Sequence, residues 1–132
     1  MILVVEDSLE DQFLIQSAFD AIDPLLPVRF FVSSEDFVAF AQQNLMQDDI
    51  CQNKLVLSDI NMPGLGGFYG LVEVKKLNID RLFFVMLSTS SNANDIFKAY
   101  ELGVDGFITK PASYAQLEIL LLKILNFWWY AG

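Results

Sequence analysis

The sequence predicts an α/β fold, a doubly wound parallel sheet of five strands covered on both faces by five helices. Apolar runs of four to six residues alternate five times with segments of helical periodicity, the pattern of strands buried on both sides. No internal repeat, low-complexity tract or Pro/Ser-rich linker interrupts that series, so residues 1–132 read as one domain.

Strands are expected near 2–5, 28–32, 55–58, 83–88 and 106–109. The first helix runs from about Leu9 to Ile22, capped by Asp7 or Ser8, with Phe13, Ile15, Ala18, Phe19 and Ile22 as its apolar positions. Asp23-Pro24 ends it. Ser33-Ser34-Glu35-Asp36 opens a second helix near 35–46, whose Phe37, Val38, Phe40 and Ala41 face the sheet, and polar residues 47–53 form its exit loop. A third helix spans Phe68 to Leu77, after a glycine-rich turn. A fourth runs from Asn94 to Leu102 and is stopped by Gly103. The last covers Tyr114 to Tyr130.

Eight basic residues against 17 acidic ones give a net charge of -9, which argues against a nucleic-acid partner held through phosphates. Mean hydropathy is high at +0.40, yet no uninterrupted apolar stretch of about 18 residues exists to cross a membrane. The amino terminus has no basic region or cleavage site of a secretory signal, so a cytoplasmic address is expected. The single Cys51 has no internal disulfide partner and reads as a loop residue. With no histidine, triads built on an imidazole base are excluded, and any metal should be a hard, oxygen-ligated cation.

The chemistry gathers at strand ends. Glu6-Asp7 follows the first strand, Asp59 the third, Ser88-Thr89 the fourth and Lys110 the fifth. In an open parallel sheet these carboxyl ends share one crevice. Three carboxylates crowded there repel one another unless a cation intervenes, and Mg²⁺ suits such a donor set. Lys110, between Ile108-Thr109 and Pro111, can reach back to pair with Asp59 and neutralise oxygens on a group attached to it. The assembly reads as a phosphoryl-transfer site.

Val4-Val5-Glu6-Asp7-Ser8, Leu57-Ser58-Asp59-Ile60-Asn61-Met62-Pro63-Gly64, Leu87-Ser88 and Thr109-Lys110-Pro111 resemble the four signature blocks of bacterial response-regulator receiver domains. They come in the family's order, with 52, 29 and 22 residues separating Asp7, Asp59, Ser88 and Lys110. The resemblance implies a flavodoxin-like sheet of strand order 2-1-3-4-5. It implies that Asp59 accepts a phosphoryl group from a sensor histidine kinase or phosphotransfer protein. Asp7, Asp59 and the Asn61 backbone carbonyl would ligate Mg²⁺, with Glu6 helping through water. Ser88 and Lys110 would bind the phosphoryl oxygens, and Lys110-Pro111 would be a cis peptide. Ser88 and Phe107, the latter in place of the more frequent tyrosine, would switch the surface of helix 4, strand 5 and helix 5. Asn61, Thr89 and Ser90 would tune phosphate lifetime. Ser88-Thr89-Ser90, Asn94-Asp95-Ile96-Phe97, Ala99-Tyr100-Glu101-Leu102 and Phe127-Trp128 are similar to the single-domain response regulators that partner cyanobacterial phytochromes.

Other functions fit less well. An aspartate-nucleophile phosphatase usually has a second acid two residues after the nucleophile, where this chain has Asn61. A flavodoxin needs a phosphate-binding loop after strand one, where Glu6-Asp7 would repel the phosphate. A non-phosphorylated scaffold receiver, acting only by protein binding, is the alternative to the switch. From Gln116 to Tyr130, 11 of 15 residues are apolar, more than one sheet-facing stripe needs. Either the aromatic tail folds back over its own domain or the helix-5 face, with Phe127, Trp128, Trp129 and Tyr130, forms a homodimer; the homodimer is the expectation.

Overall fold

A computed structural model describes residues 1–47, 52–89 and 92–130. Five strands, β1 (Ile2–Val5), β2 (Val28–Phe31), β3 (Lys54–Asp59), β4 (Leu82–Ser88) and β5 (Gly106–Thr109), form one parallel sheet of order β2-β1-β3-β4-β5. Between and after them lie α1 (Leu9–Ile22), α2 (Ser34–Asn44), α3 (Gly66–Lys75), α4 (Ala93–Glu101) and α5 (Tyr114–Ile124). The order reverses at β1, where the chain crosses from β2 to β3, and a doubly wound sheet opens its crevice at such a point.

Alternate residues of each strand feed two cores, which is why the runs carry no polar face. Ile2, Val4, Leu55, Leu57, Val85 and Leu87 pack with Ile15, Ala18 and Phe19 of α1 and Leu121 and Ile124 of α5. Leu3, Val5, Val56, Phe84 and Met86 point the other way, onto α2, α3 and Ala99 of α4. Ser8 caps α1 by accepting from Asp11 N–H, and Ser33 caps α2 through Asp36 N–H. Gly103, at φ +97°, turns the chain out of α4 where a side chain would be strained.

Phe40 faces the sheet as expected, its ring 5.2 Å from that of Phe31 on β2, and stays half-buried with the Arg29 guanidinium 4.4 Å above it. Three expectations change. Phe13 is 70% exposed, because the face of α1 that meets the sheet is set by Ile15, Ala18 and Phe19. The last helix is α-helical only to Ile124 and continues as a π-helical turn over Leu125–Trp129, closed by Tyr130 N–H on the Leu125 carbonyl. No peptide bond is cis among the described residues, Lys110-Pro111 included. Cys51 lies outside the described residues.

Candidate functional site

Parallel strands end on one edge of the sheet, so register decides which strand-end residues meet. Val5 lies opposite Ser58, Asp59 opposite Leu87, and Ser88 opposite Thr109. Asp59 and Ser88 at the strand ends, and Glu6 and Lys110 one residue further along, thus reach the same rim. Lys110 stays in line by donating its N–H to the Ser88 carbonyl at 2.7 Å. Its side chain then crosses back over β4 and β3: Nζ sits 2.6 Å from Glu6 Oε1, 3.0 Å from Asp59 Oδ2 and 3.8 Å from Asp11 Oδ2.

Glu6 is 2% exposed and Asp59 8%, while Asp7 projects into solvent. Carboxylate oxygens of all three acids nonetheless lie within 4.8 Å of one another. Three anionic oxygens so close, one set reachable from solvent, fit a small divalent cation by the chemistry of the donors. Burial pushes the Glu6 carboxyl up to about 7, against hydrogen bonds from Lys110 and from Ser8 N–H that favour the anion. Burial also works against the charged form of Lys110, but hydrogen bonds to Glu6 and Asp59 outweigh it and raise its pKa above 10.5. The half-buried ammonium is thus held by the two acids beside it.

Asp59 Oδ1 accepts from Asn61 N–H at 3.0 Å, which leaves the carboxylate gripped on one oxygen by the loop and on the other by Lys110. The loop is tight for a reason. A Cβ on Gly67 would lie 2.6 Å from the Asp59 carbonyl oxygen and 3.0 Å from Ile60 Cα, so only glycine lets α3 start directly on the end of β3. Ser88 is wholly buried. Thr89 is exposed beside it, and Ser90 lies outside the described residues. Phe107 is half-buried, opposite Met86 in the register and on the α2–α4 side of the sheet.

Ser8, one of the two expected caps of α1, fills that role and also donates its N–H to Glu6 Oε2 at 3.2 Å. The residue that sequence reasoning passed over acts on backbone: Gln12 Nε2 donates to the Glu6 carbonyl at 2.7 Å. A polar residue in the second turn of a helix that starts at an acidic pair was the available signal.

A family model described as the response regulator receiver domain matches residues 2–121. The chain belongs to that family. Receiver domains are non-catalytic signalling modules of two-component systems; they interact with histidine kinases or phosphotransfer proteins and bind Mg²⁺ or Mn²⁺ at an acidic site. The receiver is 33% identical to the response regulator Rcp1 of Synechocystis, over 97% of this chain and 88% of that one. It superposes on the phosphorylated cyanobacterial phytochrome response regulator RcpA with a TM-score of 0.83 at 32% identity, covering 99% of this chain and 94% of that one. The Mn²⁺-bound form of Rcp1 gives a TM-score of 0.77 at 28% identity, over 99% and 95%. Among the described residues no helix is long and apolar enough to cross a membrane.

Proposed function

We propose that this receiver is a stand-alone phosphorylation switch of the cytoplasm, with Asp59 as its phosphoryl acceptor. The observation that carries this reading is Lys110 Nζ, held between Glu6 and Asp59 with Asp7 completing the acidic cluster. An Asp59 oxygen attacks the phosphorus of a phosphohistidine on a sensor kinase or phosphotransfer protein. The P–N bond breaks, its electrons return to the imidazole, and an acyl phosphate forms on Asp59. Lys110, already aimed at Asp59 Oδ2, neutralises a phosphoryl oxygen, and the Ser88 hydroxyl donates to another. Asn61 N–H keeps the carboxylate in one orientation.

Asp7, Asp59 and the Asn61 carbonyl, with Glu6 through water, are the groups that would hold Mg²⁺, which supplies neutralisation of the transferred charge. Rcp1 in a Mn²⁺-bound form, similar over nearly the whole chain, supports that assignment. Leu9 and Phe13 of α1 and Leu65 of the loop after Asp59 are exposed and offer apolar surface to the phosphodonor. Asn61, Thr89 and Ser90 set how fast water removes the phosphoryl group. Ser88, drawn toward it, leaves room into which the Phe107 ring moves, and the α4-β5-α5 surface changes. That surface carries exposed Phe97, Tyr100, Tyr114, Ile119 and Leu122, the patch through which two copies pair.

Incubation with acetyl phosphate and Mg²⁺ followed by intact-mass measurement tests the central step. A phosphoryl adduct on the wild type and none on Asp59→Asn is expected. No adduct on the wild type, with this donor or with a kinase, would leave the non-phosphorylated scaffold.

A further inference from the structure

Glu6 is held at each of its polar groups, and Gln12 is among the holders. Its N–H donates to the Phe31 carbonyl at 2.9 Å, and its carboxylate accepts from Lys110 and from Ser8 N–H. Its carbonyl, one residue past the end of β1, accepts from Gln12 Nε2 at 2.7 Å. Only the amide nitrogen of Gln12 can donate to a carbonyl, so the orientation of the side chain is settled. The bond is not a helix cap, because Ser8 caps α1.

Resting on the phosphorylation reading, we infer that Gln12 is a positioning residue for the divalent cation, acting through the Glu6-Asp7 peptide. That peptide is planar, so a carbonyl fixed at Glu6 also fixes the N–H and Cα of Asp7, the anchor from which its carboxylate is aimed. Asp7 needs this help more than its neighbours. Glu6 and Asp59 are buried and held by Lys110, whereas Asp7 is the exposed member of the cluster. Ordering it before the cation arrives lowers the entropy lost on binding. Outer-sphere partners of this kind typically change metal affinity by about 10-fold or more when removed.

Gln12→Met keeps the length of the side chain and removes the donor. Gln16→Met makes the same change one turn later, where the amide bonds the exposed Asp20 carboxylate at 2.9 Å. Free Mn²⁺ is counted by electron paramagnetic resonance during titration of the full chain, and thermal midpoints are recorded without metal. Wild type and Gln16→Met should bind Mn²⁺ alike, and Gln12→Met, with Gln12→Ala as a second variant, about 10-fold more weakly while still folded. Equal affinity in the folded Gln12 variants and the wild type overturns the role of Gln12 alone. No Mn²⁺ binding by the wild type overturns both this inference and the metal site on which it rests, whereas phosphorylation of Asp59 is read independently by mass.

Discussion

Burial lifts the Glu6 carboxyl from 4.5 to about 7, and the sign of its effect on stability follows. Between those values the folded protein holds a proton that the unfolded chain has released, so stability falls as pH rises. In chelator, urea unfolding should show the wild type losing stability from pH 4.5 to 7.5, and Glu6→Gln losing less. Equal losses would show that another group carries the effect. Lys110 contributes in the opposite region: its raised pKa stabilises the fold below 10.5 and is lost as pH climbs past the folded value. Gly67 makes the companion test of the acceptor's setting. Gly67→Ala presses a methyl against backbone at the end of β3, and about 1–3 kcal/mol should be lost in the same unfolding measurement. Unchanged stability would mean that the β3-α3 loop yields freely.

The π-helical turn after α5 shows how an element's end is decided far away in the chain. Asn53 donates through Nδ2 to the Trp128 and Trp129 carbonyls, at 3.3 and 3.1 Å, and accepts from Arg81 Nε at 2.7 Å. The Trp128 ring meanwhile fills the space a side chain on Gly106 would need, 2.7 Å from where its Cβ would stand. Asn53→Ala should therefore cost about 1–3 kcal/mol and shift tryptophan emission to the red, as Gly106→Ala should by displacing the ring. Emission that stays put in both variants would show the tail to be held otherwise. None of this was readable as periodicity, since an apolar run continues unchanged whether its hydrogen bonds span four residues or five. Phe13 failed for a related reason: α1 carries apolar side chains on more than one face, and only the sheet chooses among them. β1, α1 and β5 were legible to the residue because sharp turn signals bound them. Glu6, Asp59 and Lys110 were legible because strand ends on one edge must converge. Gln12 was not, because its partner is a carbonyl, which every residue carries.

At the scale of the whole molecule, the apolar surplus of the carboxyl-terminal segment resolves into two uses. Leu121, Ile124 and Leu125 are buried and Trp128 and Trp129 are half-buried, so much of the aromatic tail closes the domain's own floor. Ile119, Leu122 and Phe127 remain exposed on that segment, and Phe97 and Tyr100 on α4. These helices flank β5, the edge strand of the sheet, so their exposed side chains border an edge that no further strand covers among the described residues. A surface of this kind suits a two-fold interface, in which one patch meets itself, with about 800 Å² covered on each partner in an ordinary stable case. Sedimentation velocity over a range of concentrations should show the wild type as a dimer. Ile119→Glu combined with Leu122→Glu should move it to monomer, because like charges placed in each copy of the patch must be desolvated and brought together when the copies meet. Both positions are exposed in the monomer, so the variant should keep its thermal midpoint and its phosphoryl adduct on Asp59. A wild type that stays monomeric at high concentration, with and without beryllofluoride as a phosphoryl mimic, would sink the dimer and leave this patch to a different protein.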